Sequence, residues 1–307
     1  MALTTGNVSA HKHTCISNPL LQTYQNIDLR RVVFSCVGDD IAKAKGLPDT
    51  KLYGGYSQKI TVDENYVMRI PDPIDLSTAA PLLCAGITMF SPLNFYGAKA
   101  GGKQFVTAIA GLGGLGAMGA KLAKAMGNDV YVLSLSERKR EYVEKELGCK
   151  FINWNNDAER ASVARTFDLI ICTASADFDI NPYLDAVKSE GCFCCVGLPP
   201  NELAVQPFRF IARRIRIGGS LIGGIKETQE MLDFCAQHGL AADVEVIPAK
   251  DINKAWKNLL DNANPKTRYV IDLKTLGDDS PEVEDADVKP SQVHKLATVL
   301  HGRSSTL

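Results

Sequence analysis

The sequence predicts an α/β protein built on a doubly wound parallel sheet, with a smaller β-rich part beside it. Three observations support this fold class. From Gln104 onward, short apolar strands alternate with helical patterns, which is typical of a parallel sheet covered on both faces. A glycine-rich loop connects the first of these strands to an alanine-rich helix. Before Pro71 the chain instead contains short β-like stretches separated by turn residues.

The alternating region supplies six predicted strands. In chain order they are Phe105–Ala110, Val130–Leu133, Phe151–Trp154, Leu169–Thr173, Phe193–Val196 and Ile215–Ile222. Helical patterns lie between them, with the clearest at Ala117–Met126 and, after the last strand, at Thr228–His238. From about Val244 the alternation ends, and we expect one further strand at Arg268–Leu273.

The segment before the alternating region has a different pattern. Val32–Phe34, Gly55–Val62 and Tyr66–Ile70 are predicted strands separated by turn residues. A helix is predicted over Leu76–Phe95, with an interruption at Pro92 because proline cannot donate a helical hydrogen bond.

These patterns predict five regions. They are an unassigned segment (1–30), a β-rich segment (31–77), an alternating α/β domain (78–240), a segment that leaves the alternation (241–276) and an acidic tail (277–307). The tail carries many carboxylates and few large apolar groups, so it cannot bury a core of its own. We interpret it as disordered.

Composition limits the classes of partner. The net charge is −1, with 45% hydrophobic and 22% charged residues, which gives no reason to expect nucleic acid or an anionic membrane. No apolar run is expected to reach the roughly 18 residues that span a bilayer, and the first residues lack the apolar core of a secretory signal. Nine cysteines occur without a disulfide-like spacing, and Cys192, Cys194 and Cys195 lie in a predicted buried strand. A reducing, cytoplasmic compartment is therefore expected.

The glycine loop is the strongest chemical signal. Its sequence is Gly111-Leu112-Gly113-Gly114-Leu115-Gly116, placed after an apolar strand and before a helix. Glycines let the backbone approach a pyrophosphate, and the helix N-terminus offers it N–H groups and a positive dipole end. The loop therefore predicts a Rossmann dinucleotide site, with Gly111, Gly113, Gly114, Leu115 and Gly116 at the cofactor. The alternative is a glycine turn that serves only strand–helix packing.

The end of the second strand indicates which nucleotide is preferred. Enzymes that prefer NAD usually place Asp or Glu there, to hold the ribose 2′-hydroxyl. This chain has Ser134 and Ser136 instead, followed by Arg138, Lys139 and Arg140. Hydroxyls and cations suit a 2′-phosphate, so Ser134, Ser136 and Lys139 predict NADP(H). The alternative is that the cations form a solvated first turn of the next helix.

Several phrases resemble the zinc-dependent medium-chain alcohol dehydrogenases, specifically their cinnamyl alcohol dehydrogenase-like branch. They are Tyr53–Ser57, Ala80–Thr88, the glycine loop, the spacing of Ser134, Ser136 and Lys139, Gly219–Gly223 and Arg268–Asp272. The resemblance runs almost continuously from about Gly54 to Leu273. It implies a Rossmann domain with a GroES-like catalytic domain, here incomplete, and NADP(H)-dependent interconversion of small-molecule alcohols and aldehydes.

The resemblance also implies further site residues. Besides the loop and the serine–lysine spacing, it assigns cofactor contacts to Thr88, Thr173, Gly197, Ser220 and Ile222. Family members commonly form dimers through the edge of the Rossmann sheet, and Ile215–Ile222 is the candidate strand for a homodimer here.

Zinc is expected for the family, and Cys84 matches its third catalytic ligand. A catalytic zinc needs three protein ligands and an open position. The Cys-x-Thr/Ser-Asp and Gly-His-Glu segments that carry the other two ligands are not found in this sequence, and neither is the structural four-cysteine cluster. His11, His13 and Cys15 have suitable side chains but no evident link to Cys84. The alternative for Cys84 is a buried structural thiol, and no catalytic residue is assigned.

The sequence therefore leaves the function open between several hypotheses. The first is an NADP(H)-dependent alcohol dehydrogenase or aldehyde reductase. A zinc-independent reductase similar to quinone reductases is the second. The third is a truncated, catalytically inactive NADP(H)-binding protein, and the fourth is a partial gene model of an active enzyme.

Overall fold

A computed structural model describes residues 67–99, 105–260 and 268–276. Within these ranges, six strands form one parallel sheet in the order β3-β2-β1-β4-β5-β6. The strands are β1 Val106–Ala110, β2 Asp129–Ser134, β3 Lys150–Asn153, β4 Phe167–Cys172, β5 Val187–Cys195 and β6 Arg216–Gly219. The strand order reverses its direction at β1, as in a Rossmann fold, and this confirms the predicted fold class.

Helices cover both faces of the sheet. They are α1 Leu76–Pro81, α2 Ile87–Phe95, α3 Gly114–Ala125, α4 Asp157–Ser162, α5 Asn181–Ala186, α6 Pro207–Ile211, α7 Ile225–His238 and α8 Ile252–Leu260. Short π or 3-10 turns occur at Leu82–Gly86, Glu137–Lys139, Tyr142–Glu146, Ala249–Asp251 and Leu273–Thr275.

Two apolar cores lie on opposite faces of the sheet. Along β1, Ile109 belongs to the core shared with α2, α3 and α7, whereas Ala108 and Ala110 belong to the core beneath α5. In β5, Cys192 and Cys194 face the first core and Phe193 faces the second. Because both faces of the sheet centre are buried, β1 and β4 are apolar at almost every position, which is the pattern that predicted a parallel sheet.

The predicted interruption at Pro92 is wrong. Pro92 lies within α2, and the irregular turn falls earlier, at Leu82–Gly86. Met89, Phe90 and Leu93 of α2 are fully buried. Their packing keeps the helix continuous despite the one hydrogen bond that proline cannot make.

The expectation that no apolar run is long enough to span a bilayer is wrong for this helical segment. Residues Leu76–Phe95 are long and apolar enough to span a bilayer by length and mean hydropathy, and among the described residues no other helix is. About two thirds (67%) of this segment is buried inside the protein. It is placed as a core helix, which explains its hydropathy without a membrane.

The last strand of the large sheet is shorter than predicted. Ile215–Ile222 is expected to be extended, but β6 covers only Arg216–Gly219. Ile222 has a φ of 55°, which is left-handed and cannot continue a strand. The chain therefore leaves the sheet after Ser220, whose N–H still donates to the Cys195 carbonyl of β5.

The expectation that the alternation ends at Val244 is also wrong. Val244–Pro248 forms β7, α8 follows, and Arg268–Asp272 forms β8, which pairs with β7 in parallel. The predicted strand at Arg268 is thus confirmed, while β7 and α8 were missed. The apolar spacing of Ile252, Ala255 and Leu259 was the signal for α8.

The predicted strand Tyr66–Ile70 is not observed in its described part, since residues 67–70 belong to no strand. The backbone of this segment is instead hydrogen-bonded by the side chain of Gln229 in α7. The Arg69 N–H donates to Gln229 Oε1 at 2.9 Å, and Gln229 Nε2 donates to the Arg69 carbonyl at 3.0 Å.

Several predictions lie outside the described residues. They are the strands Val32–Phe34 and Gly55–Val62, the unassigned segment 1–30 with His11, His13 and Cys15, and the acidic tail 277–307. The domain boundaries predicted there stay predictions.

Candidate nucleotide-binding site

The glycine loop lies between the end of β1 and the start of α3. Gly113 is the N-cap of α3, and no side chain caps this helix end. The first N–H groups of an α-helix have no partner within the helix. The helix is 12 residues long, so its peptide dipoles add up along the axis. The positive end of this helix dipole lies at the glycine loop, next to the unpaired N–H groups.

Two positions of the loop require glycine. Gly111 has a φ of +94°, a conformation that other residues rarely adopt. A Cβ placed on Gly116 would lie 2.1 Å from the Gly111 carbonyl oxygen, and both groups are backbone. The absence of a side chain at Gly116 therefore allows α3 to begin directly behind the loop.

Hydrogen bonds attach the loop to the strands on both sides of β1. The Gly111 N–H donates to the Leu133 carbonyl of β2 at 2.9 Å. On the other side, Thr173 follows β4, and its Oγ1 lies 3.1 Å from the Ala110 carbonyl and 3.3 Å from that of Gly111. The loop thus sits at the carboxyl edge of the sheet, beside the crevice where doubly wound folds bind ligands.

The loop after β5 closes against the loop after β4. The N–H groups of Val196 and Gly197 both donate to the Cys172 carbonyl, at 2.9 and 3.0 Å. A Cβ on Gly197 would lie 1.9 Å from the Ala174 carbonyl oxygen. Glycine at this position lets the two loops approach, which brings Thr173 and Gly197 to the same edge as the glycine loop.

The serines predicted to face a 2′-phosphate stand at the end of β2. Ser134 is buried and Ser136 is half-buried, and the Ser136 N–H donates to Ser134 Oγ at 3.3 Å. Lys139 lies in the following turn, and its Nζ donates to the Leu112 carbonyl at 2.7 Å. The turn after β2 is therefore joined to the glycine loop, a contact that sequence spacing did not reveal.

Arg140 and Glu137 belong to a network of ion pairs in and around the turn after β2. The Arg140 guanidinium binds the carboxylates of Glu137, Glu144 and Glu159, and its carbon lies 4.6 Å from the centre of the Phe151 ring. Arg140 also lowers the pKa of the Glu137 carboxyl below its usual value, with a smaller contribution from Asn153. Lys139 and Arg140 are thus only partly exposed and contact other parts of the protein, whereas Arg138 is exposed.

Comparisons with known proteins agree with this geometry. A family model described as zinc-binding dehydrogenase matches residues 114–237. Over this range the chain is similar to zinc-binding dehydrogenases. It is 47% identical over 228 residues to NADP-dependent alcohol dehydrogenase C 1 of Mycolicibacterium smegmatis, covering 74% of this chain and 64% of that protein. Aldehyde reductase YahK of Escherichia coli is 46% identical, with coverages of 73% and 64%.

Solved structures of similar fold are also alcohol dehydrogenases. A cinnamyl alcohol dehydrogenase from Sorghum bicolor matches with a TM-score of 0.66 and 35% identity, over 73% of this chain and 62% of that one. The enzyme from Helicobacter pylori, solved with NADP(H), matches with a TM-score of 0.65 and 40% identity, over 74% and 63%. The resemblance found in the sequence is confirmed. The chain spans a little less than two thirds of the length of these relatives.

Of the remaining predicted cofactor residues, Ser220 lies at the carboxyl edge of the sheet. Ser220 follows β6, and its N–H donates to the Cys195 carbonyl of β5 at 3.1 Å. Thr88 is buried in α2, which packs against α3. Ile222 lies two residues beyond Ser220, in its left-handed conformation. Among the described contacts, none joins Thr88 or Ile222 directly to the glycine loop.

Cys84 does not form a zinc site with the residues that the structure describes. It is half-buried in the turn Leu82–Gly86, whose Ala85 shares a cavity of about 10 Å³ with Gly114. Within residues 67–99, 105–260 and 268–276, no group of three His, Cys, Asp or Glu side chains is placed to hold a metal. A single thiol does not fit a catalytic zinc, which needs three protein ligands. No reaction step is therefore assigned to a metal here.

The other cysteines of the domain have the character of buried apolar side chains. Burial raises the pKa of Cys172, Cys194 and Cys235 to about 12. Their thiols are therefore protonated at neutral pH, and a protonated thiol is a poor nucleophile. Cys192 and Cys194 are buried as predicted, whereas Cys195 is only half-buried because it stands at the end of β5.

Proposed function

We propose that the dehydrogenase domain binds NADP(H) at the carboxyl edge of its sheet and serves the interconversion of an alcohol and an aldehyde. The domain is proposed to span about residues 78–240. The observation that carries the proposal is the glycine loop held against the uncapped start of α3. The proposed contacts are Thr88, Gly111, Gly113, Gly114, Leu115, Gly116, Ser134, Ser136, Lys139, Thr173, Gly197, Ser220 and Ile222.

The start of α3 supplies the pyrophosphate site in this proposal. Its N–H groups and the positive end of its dipole favour an anion, and Gly113 brings no side chain that would compete for them. The tight fit of Gly116 against the Gly111 carbonyl holds these donors in place before a ligand arrives. Preorganised donors lose little conformational entropy on binding.

The proposed preference for NADP(H) over NAD(H) is supported by the lack of a carboxylate at the end of β2. β2 ends in Ser134, where a carboxylate would repel a 2′-phosphate. Glu137 is the acid nearest to this position, and its carboxylate is bound by Arg140 and by Asn153 Nδ2, the latter at 2.9 Å. The negative charge of Glu137 is therefore compensated by the protein.

The reaction is supported by the relatives. One is named an NADP-dependent alcohol dehydrogenase and another an aldehyde reductase. In the proposed direction of reduction, a hydride passes from NADPH to the carbonyl carbon, and the oxygen receives a proton, which gives an alcohol and NADP⁺. The residues of this chain position the nucleotide, with Thr173 and Gly197 at the strand ends beside the glycine loop.

Binding is tested by placing a negative charge at the start of α3. We expect Gly114→Asp to raise the Kd of NADPH by at least about tenfold, because a carboxylate there repels the pyrophosphate. Ala158→Asp is the matched control, since Ala158 is exposed in the first turn of α4 and should leave the Kd unchanged. Fluorescence titration of NADPH measures both. Equal affinity in the Gly114 variant would refute the site.

Turnover is tested by following NADPH absorbance with cinnamaldehyde-like substrates, alongside the zinc content of the protein. The proposal predicts aldehyde-dependent oxidation of NADPH, lost in Gly114→Asp and kept in Ala158→Asp. Oxidation that survives exhaustive chelation would support a zinc-independent reductase instead. NADPH binding without any oxidation would contradict the proposed reaction and match an inactive nucleotide-binding protein.

We also propose that the domain forms a homodimer through β6, which is one of the two outer strands of the large sheet. Ile217 of this strand is 42% exposed, so its edge carries apolar surface. Ile217→Asp is expected to convert a dimer into a monomer in sedimentation equilibrium, because edge charges oppose strand pairing. Leu135→Asp, at an exposed position after β2, should stay dimeric. A monomeric unmodified chain would exclude the dimer.

A further inference from the structure

Helix α8 has an apolar face that packs on the small sheet and a basic face that is exposed. The side chains of α8 that line a cavity of about 50 Å³, together with residues of β7 and β8, are Ile252, Ala255, Trp256 and Leu259. Lys254 and Lys257 are three residues apart, which places both on the opposite, exposed side of the helix.

Two further exposed lysines, Lys250 and Lys274, lie in the short turns before α8 and after β8. These turns are in contact, because the Ala249 N–H donates to Thr275 Oγ1 at 2.8 Å. No ammonium group of these four lysines is paired with a carboxylate in the part of the chain that the structure describes. The lysine surface is defined here as Lys250, Lys254, Lys257 and Lys274.

The chain continues from this surface into an acidic segment. Leu276 is the last described residue, and its N–H donates to the Leu273 carbonyl at 3.1 Å, in the turn that carries Lys274. Residues 277–287 contain no lysine or arginine but many carboxylates, which are Asp278, Asp279, Glu282, Glu284, Asp285 and Asp287. Opposite charges therefore follow each other directly along the chain.

The acidic segment is long enough to reach every lysine of the surface. An extended chain advances by at most about 3.6 Å per residue, so Asp287 can lie up to about 40 Å from Leu276. Helix α8 has nine residues and is only about 14 Å long. Such a short tether gives the segment an effective concentration in the millimolar range, which exceeds that of a second copy in dilute solution.

We propose that the acidic segment 278–287 binds across the lysine surface of its own chain. Charge complementarity supports this occupant, since the ammonium groups have no described partner and the carboxylates are tethered beside them. Exposed ion pairs are individually weak, so binding depends on several pairs at once and decreases as salt screens them. The proposal does not depend on the proposed nucleotide site.

Carbodiimide cross-linking tests the contact, because it joins only carboxylates and amines that meet. An equal mixture of unlabelled and isotopically labelled full chains separates links within one chain from links between copies. The proposal predicts links from the acidic segment to Lys254 and Lys257 within one chain, lost in about 1 M salt. Lys145 and Glu141, joined at 2.8 Å, are the positive control.

Lys226 is the matched negative control, since it is exposed near the start of α7 and has no described ion pair. Tail links to Lys226 at the same yield as to Lys254 and Lys257 would overturn the proposal. Links that occur only between copies would overturn it as well, and they would indicate that the segment binds a second chain. A lack of any link to Lys254 and Lys257 would also contradict it.

Limited proteolysis of the full chain gives a second test. Replacing both lysines, Lys254→Gln with Lys257→Gln, should speed cleavage after Glu282 and Glu284 by a glutamate-specific protease at least about threefold, because the released segment is more accessible. Lys254→Arg with Lys257→Arg keeps the charges and should leave the rate unchanged, as should Lys226→Gln. Equal cleavage rates in the glutamine and arginine double variants would overturn the proposal.

Discussion

The close approach of the Gly111 carbonyl to Gly116 is the constraint on which the site depends. A single added Cβ would lie 2.1 Å from that oxygen, so α3 can begin directly behind β1 only if residue 116 is glycine. Gly111 is itself fixed to β2 through Leu133 and to the end of β4 through Thr173. These hydrogen bonds to the sheet therefore fix where the unpaired N–H groups of α3 lie. A loop that was only a packing turn would have no need for an uncapped helix start at the carboxyl edge of a parallel sheet.

The charges around this edge follow from the same local geometry. β2 ends in Ser134, and the turn after it returns to the glycine loop through Lys139 and Leu112. Arg140 draws the Glu137 carboxylate into a network with Glu144 and Glu159, next to the ring of Phe151. The acid nearest in sequence to the strand end is therefore ion-paired, and Arg138 beside it is exposed. A ribose 2′-phosphate is compatible with the hydroxyls and cations of this turn, whereas a carboxylate at the end of β2 would repel it.

Much of the fold could be predicted from sequence because its signals are local. The glycine spacing and the apolar segments on either side of it identify β1, α3 and the parallel character of the sheet. The errors arose where packing overrides local preference. Pro92 is tolerated because its neighbours Met89, Phe90 and Leu93 in α2 are fully buried. Strand β7 was missed because Val244–Pro248 alternates weakly and is partly exposed. The roles of Lys139 and Arg140 depend on partners 19 to 27 residues away, such as Glu159 and Leu112, and no spacing rule predicts such contacts.

The central claim is that the first turn of α3 binds the phosphates of NADP(H). Hydrogen exchange of the backbone amides, measured with and without saturating NADPH, tests it most directly, because it locates the protected N–H groups. The account predicts slower exchange at the amides of Gly114, Leu115 and Gly116 when NADPH is bound, with little change in α4 or α8. NADPH binding that leaves the exchange of these three amides unchanged, or protects another helix start instead, would contradict it.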